Sequence, residues 1–138
     1  MIGAFPDGFQ PDPRLFELRQ APIQRLHAFR DLEEGWNGDD HCRRPTDQVI
    51  QEALTFLLCA LPVTIANPDP LPSGENEVGL YWTSPDRSFF VDVGFYGEGA
   101  YSFYAYDAQG QYKGDDIPLE TLHPDLAAIL ARHALRLA

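Results

Sequence analysis

Cysteine is scarce in this chain. Cys42 and Cys59 are the two it has, and no C-x-x-C spacing links them. That argues against a zinc ribbon, a thioredoxin-type site or a disulfide framework. Both read as free thiols in a reducing cytosol, with Cys59 packed near the end of a helix. Long hydrophobic runs are also missing. The longest, around residues 56–61 and 89–95, are far too short to span a bilayer. The stretch from Met1 to Asp7 lacks the basic start and apolar core of a secretion signal, so the expected location is the cytoplasm. Basic residues are few, 10 against 21 acidic ones, and the formal net charge is −11. Such a charge repels nucleic acid and anionic membrane surfaces, and suits either a basic partner or plain solubility.

Catalytic signatures are absent too. There is no G-x-x-x-x-G-K-[ST], no G-x-G-x-x-G after a strand, no H-E-x-x-H and no G-x-S-x-G. His27, His41, His123 and His133 are scattered. The acidic pairs Glu33/Glu34, Asp39/Asp40 and Asp115/Asp116 are chain neighbours in loops or at helix ends, where they face solvent rather than each other. Asp39, Asp40, His41 and Cys42 carry metal-ligating atoms, but ligands of an ordered site come from spaced positions. No catalytic residue, metal or cofactor is assigned.

What is present reads as one α+β domain spanning residues 1–138, a usual domain length, with 44% apolar residues to build a core. Residues 1–13 are rich in proline and glycine and read as an extended arm. A first helix is expected from near Pro22 to Glu34, after a turn at Arg14–Arg19, with Gly35 as its left-handed stop. Gly35, Trp36, Asn37 and Gly38 form a structural turn. Thr46 or Asp47 caps a strongly apolar second helix that Pro62 ends. Residues 62–76, with Pro62, Pro68, Pro70 and Pro72, form an irregular crossover. The period then changes to two. Val78–Thr83, Phe89–Phe95 and Tyr101–Tyr106 are three strands, and a short fourth lies near Gln111–Lys113. A type I turn at Ser84–Arg87 pairs Trp82 with Phe89, Leu80 with Val91 and Val78 with Val93. Gly97-Glu98-Gly99 then aligns Val93 with Phe103. His123-Pro124-Asp125 opens a final helix to about Arg136. The expected fold is a three- to four-stranded antiparallel meander packed with two N-terminal helices and one C-terminal helix.

The second face of that sheet is unusual. It carries Tyr81, Phe90, Tyr104 and Tyr106 beside Asp92, Ser102 and Lys113. A wetted sheet face is mostly polar, so these aromatics imply either a covering element, such as a helix or the N-terminal arm, or a binding platform. Single-stranded nucleic acid stacks on such platforms, but it needs a basic surround that this chain lacks.

The order Leu32-Glu33-Glu34-Gly35-Trp36-Asn37-Gly38, an apolar helix ending at Leu61-Pro62, and a later strand with Leu80-Tyr81-Trp82 resembles a loose family of small bacterial and mobile-element proteins with a GW-[DN]-G turn. The likeness covers roughly residues 30–106. In that family a tyrosine often follows the turn glycine, where Asp39 stands here. The resemblance implies a bacterial, plasmid or phage origin and carries no activity with it.

The expected function is a non-enzymatic, protein-binding one: a small acidic inhibitor of the immunity, antitoxin or anti-defence (anti-CRISPR-like) type, acting on a basic nucleic-acid-handling protein. The expected contact residues are Phe90, Tyr104, Tyr106, Tyr81 and Asp92, with Asp39 and Asp40 as a second patch. The alternatives are a ligand-binding or enzymatic pocket between the sheet and the 62–76 crossover, or a domain that self-associates through the aromatic face.

Overall fold

The structure is a computed structural model and describes residues 13–33, 35, 36, 38, 43–73 and 75–136. It is α+β. Helices α1 (Pro13–Leu18), α2 (Gln20–Ala28) and α3 (Asp47–Thr55) precede five strands, β1 (Asp69–Pro72), β2 (Val78–Thr83), β3 (Phe90–Phe95), β4 (Ala100–Asp107) and β5 (Gly110–Pro118). Helix α4 (Pro124–His133) follows. The strands form one antiparallel meander in the order β1-β2-β3-β4-β5.

The helices arise where local chemistry allows. α1 and α2 are joined through Arg19, whose N–H reaches the Leu15 carbonyl and whose carbonyl accepts from Ile23. Pro22 sits in the first turn of α2, where its missing N–H costs little. A single 3₁₀ turn at Phe29–Asp31 then ends the segment. The helical chain therefore stops three residues before Glu34. Gly35, at φ 73°, serves the following turn rather than a helix end. At α3, Thr46 is the cap, its hydroxyl accepting from the Val49 N–H at 3.4 Å. The last turn of this segment, Phe56–Ala60, is a wider π turn closed by Leu61 N–H on the Phe56 carbonyl. His123 caps α4 with its ring nitrogen on the Asp125 N–H, and Pro124 follows at the first helical position.

Two sheet expectations need correction. The proline-rich crossover holds a strand, since β1 pairs Pro70 with Leu80 and Pro72 with Val78. Prolines donate no ladder bond, so a strand that carries two of them belongs at a sheet edge, as β1 does. The fourth expected strand is also longer, nine residues instead of three, which makes five strands in all.

The β2–β3 register differs as well. Trp82 pairs with Val91, Leu80 with Val93 and Val78 with Phe95, two residues along from the expected pairing. A loop wider than a type I turn causes this. Ser84 N–H closes on the Phe89 carbonyl, Asp86 accepts from Ser84 and Ser88, and Arg87 adopts φ 58°. A shift of two keeps every side chain on its face, so the two faces were assigned correctly.

The crossover is held by backbone bonds to residues 134–136 and by side chains that donate to its carbonyls. Arg19, fully buried, donates to the carbonyls of Ile65 (2.7 Å) and Pro62 (2.6 Å) and to Asn67 Oδ1 (2.8 Å). Arg25 reaches the Pro70 carbonyl, and the Trp82 indole reaches that of Ala66. One apolar cluster joins Leu26, Ile50, Leu54 and Leu57 with Leu80, Val91, Val93, Phe103, Ile129 and Leu130. Helix α3 lies over β2 and β3, and α4 over β4 and β5. Among the described residues, no helix is long and apolar enough to cross a membrane.

Candidate partner-binding face

Alternation along β2, β3 and β4 sends Val78, Leu80, Trp82, Val91, Val93, Phe103 and Ala105 into the helix-covered core. It sends Tyr81, Phe90, Asp92, Tyr104 and Tyr106 to the opposite face. Antiparallel pairing then sets Tyr81 opposite Asp92, Asp92 opposite Tyr104, and Tyr104 opposite Lys113, in one row across four strands. Phe90 pairs with Tyr106 in the next row. The rings form a contiguous set. Phe90 stacks on Tyr106 at 5.5 Å and lies 6.0 Å from Tyr81 and 6.4 Å from Tyr104. Tyr104 is 40% exposed, and Tyr81, Phe90, Asp92 and Tyr106 are half-buried.

All five expected sheet residues are thus brought together on a face whose rings remain partly exposed. The alternative covering element, the N-terminal arm, falls mostly in residues 1–12, outside the described residues. So do Asp39, Asp40, Asn37 and Cys42. Of the expected turn, Gly35, Trp36 and Gly38 are described. The Gly38 N–H closes on the Gly35 carbonyl, and the Trp36 indole reaches the Arg43 carbonyl.

Asp92 is electrostatically loaded. Burial, then the nearby Glu77, push its carboxyl up to about 6. Burial followed by Glu75 raises Glu77, and burial with Asp92, Glu77 and Tyr96 raises the Tyr81 phenol. Anionic groups crowd a half-dry surface here, and among the described residues no cation offsets them at Asp92.

Sequence reasoning missed four participants. Tyr96, 43% exposed, follows Phe90, Asp92 and Gly94 at the same two-residue spacing, so the alternation itself could have found it. Gly79 and Gly94 form the floor. A Cβ on Gly79 would lie 2.6 Å from the Tyr81 ring, and one on Gly94 2.7 Å from the Tyr96 hydroxyl. Only glycine lets these two rings lie flat on the sheet. Leu71, 44% exposed on β1, extends the apolar surface, and nothing in its proline-rich context signalled a strand.

A second cluster lies at the far end of the sheet. Asp107 Oδ2 accepts from Arg132 Nε (3.1 Å) and Nη2 (3.0 Å) and contacts His133 Nε2 at 2.9 Å. The His133 ring stacks on Phe89 at 4.7 Å. Desolvation pushes the Asp107 carboxyl up, but bonds from His133, the Gln109 amide and Arg132 outweigh it and hold the group down at about 2. His133 also borders a cavity of about 280 Å³ between crossover residues Ala66, Asn67 and Asp69 and strand residues Tyr81–Thr83. The histidine nitrogen that meets Asp107 is thereby engaged in a structural ion cluster with Arg132. Among the described residues, no group of three or more His, Cys, Asp or Glu could hold a metal ion. The Cys59 thiol, half-buried, is pushed up to about 11 by burial and Glu120, which makes it a poor nucleophile.

Comparison of the chain with family models, with curated proteins and with solved structures gives no match in any of the three. The reading of the site therefore rests on its own chemistry.

Proposed function

We propose that this protein is a non-enzymatic, acidic binding domain that docks a basic protein on its open sheet face. The observation that carries this reading is the contiguous, partly exposed ring set of Tyr81, Phe90, Tyr104 and Tyr106 around the half-buried Asp92, on a chain of net charge −11. Rigid aromatics contribute contact area at small entropic cost, and acidic surroundings speed encounter with a cationic partner. Nucleic-acid-handling proteins offer such basic surfaces. A cytoplasmic inhibitor of the immunity, antitoxin or anti-defence type, anti-CRISPR-like in its logic, fits this chemistry, as does the resemblance to GW-[DN]-G proteins of mobile elements. The test is affinity capture by the tagged protein from nuclease-treated bacterial lysate at low and high salt. A basic protein retained at low salt and weakened by salt supports the reading. Retention of nucleic acid alone, or of nothing by a folded monomer, counts against it.

The alternative of a small-ligand pocket has one observation in its favour, the cavity between sheet and crossover that His133 and Asp69 border. A small molecule co-purifying with the chain and protected by that cavity would shift the weight there.

A further inference from the structure

The open face holds a groove between β3, β4 and β5. Its base is the Tyr96 ring, which lies over Gly94 at the cross-strand pair of Gly94 with Ser102. The Tyr96 hydroxyl lies 2.9 Å from Ser102 Oγ, and Tyr104 stands at the side of the space. Asp92 and Asp115 supply its acidic groups, and Lys113 lies on its rim. The space is about 230 Å³. An adjoining recess of about 330 Å³ shares Tyr96, Ser102 and Asp115 and adds Glu98 and Asp116. Four carboxylates therefore line the double groove, against one ammonium. Among the described residues none donates a hydrogen bond to the Asp92 carboxylate.

Acidity alone would attract any cation. What selects among cations is the pair of rings, Tyr96 lying on the sheet and Tyr104 beside it. A guanidinium is planar, weakly hydrated and able to bond a carboxylate through two N–H groups while its face lies on an aromatic ring. An ammonium keeps its hydration and gains less from a half-dry slot. We propose that this groove is an arginine-anchor site, seating the guanidinium of one arginine from a basic protein partner against Tyr96 and Tyr104, with Asp92 and Asp115 accepting its N–H groups. The proposal rests on the docking reading above and names the side chain that the face recognises. The unfavourable crowding around Asp92 acts in its support, because a bound cation relieves it.

The test is an NMR titration of the full ¹⁵N-labelled chain with N-acetyl-arginine methylamide and, separately, with the neutral isostere N-acetyl-citrulline methylamide. The expected result is saturable shifts at Asp92, Gly94, Ser102 and Tyr104 with a Kd of about 1–10 mM. Binding should be at least about tenfold weaker for citrulline, and weaker by a similar factor in Asp92→Asn. Equal response to both compounds, no saturable shift, or shifts spread over the acidic surface overturns the anchor. A Tyr104→Leu variant, which removes a ring and no charge, gives a second check: unchanged arginine binding contradicts the site as drawn. Phe90→Ala/Tyr106→Ala, outside the groove, separates the two claims. If that variant loses the captured protein while the arginine compound fails to bind wild type, the docking face stands and the anchor falls. If it keeps the captured protein while arginine binds the groove, the anchor stands and the wider face falls.

Discussion

Asp92 is a carboxylate held where burial and Glu77 disfavour its charge. Its carboxyl titrates at about 6 when folded, against an ordinary value of 3.8. A group raised on folding contributes stability that is fully present below its unfolded value and lost as pH rises through its folded one. Asp92 therefore weakens the fold increasingly between pH 4 and pH 6. Asp92→Asn, which keeps the shape and removes the charge, is expected to raise the Tm by roughly 3 °C at pH 7.5. The difference should vanish near pH 4. Thermal unfolding of both proteins at the two pH values checks this, and a destabilised variant at pH 7.5 would refute it.

At the scale of elements, the connections do as much as the strands. Glu52, on α3 and buried, accepts from the amides of Gly97 (2.9 Å) and Gly99 (2.7 Å), both in left-handed backbone. Gln48 adds a bond to the Gly97 carbonyl. One helix thus fixes the β3–β4 hairpin and, through it, Tyr96. Glu52→Ala should cost about 2–3 kcal/mol, because two charge-assisted bonds are lost together. Denaturant unfolding reads the loss, and a cost under about 0.5 kcal/mol would show that the hairpin holds itself.

These same elements explain what the sequence could and could not disclose. The faces of β2, β3 and β4 were legible because Val78–Trp82 and Val91–Phe95 alternate cleanly, and that alternation also delivered Phe90, Tyr104 and Tyr106 as a set. The β2–β3 register was not legible, because Ser84, Asp86 and Ser88 build a side-chain-bonded loop that resembles a simple turn in sequence. β1 was hidden by Pro70 and Pro72. Most of β5 was hidden because Gln111–Pro118 shows only Tyr112 and Ile117 toward the core, across an irregularity where Asp116 takes φ 54°. The groove needs Gly94 and Tyr96 to be seen together, and a glycine's missing side chain has meaning only once its neighbours are placed.

The whole molecule divides its labour between two faces of one sheet. The inner face joins the helices through an apolar core with Arg19, Glu52 and Thr55 buried beside it, and the outer face retains aromatic surface that the core does not use. Self-association through that surface would bring two chains of net charge −11 together, which like-charge repulsion opposes. Light scattering at low salt is expected to give the mass of one chain. A stable dimer that dissociates in Phe90→Ala/Tyr104→Ala would instead assign the face to a second copy.

The measurement that bears most directly on the docking face is the affinity of the captured basic protein for wild type and for Phe90→Ala/Tyr104→Ala, at low and high salt. A loss of at least about a hundredfold is expected, as for two central aromatic contacts, with unchanged far-UV circular dichroism. Wild-type affinity should itself fall with salt. Binding of the variant within about twofold of wild type, at either salt, would contradict the assignment of this face as the site of recognition.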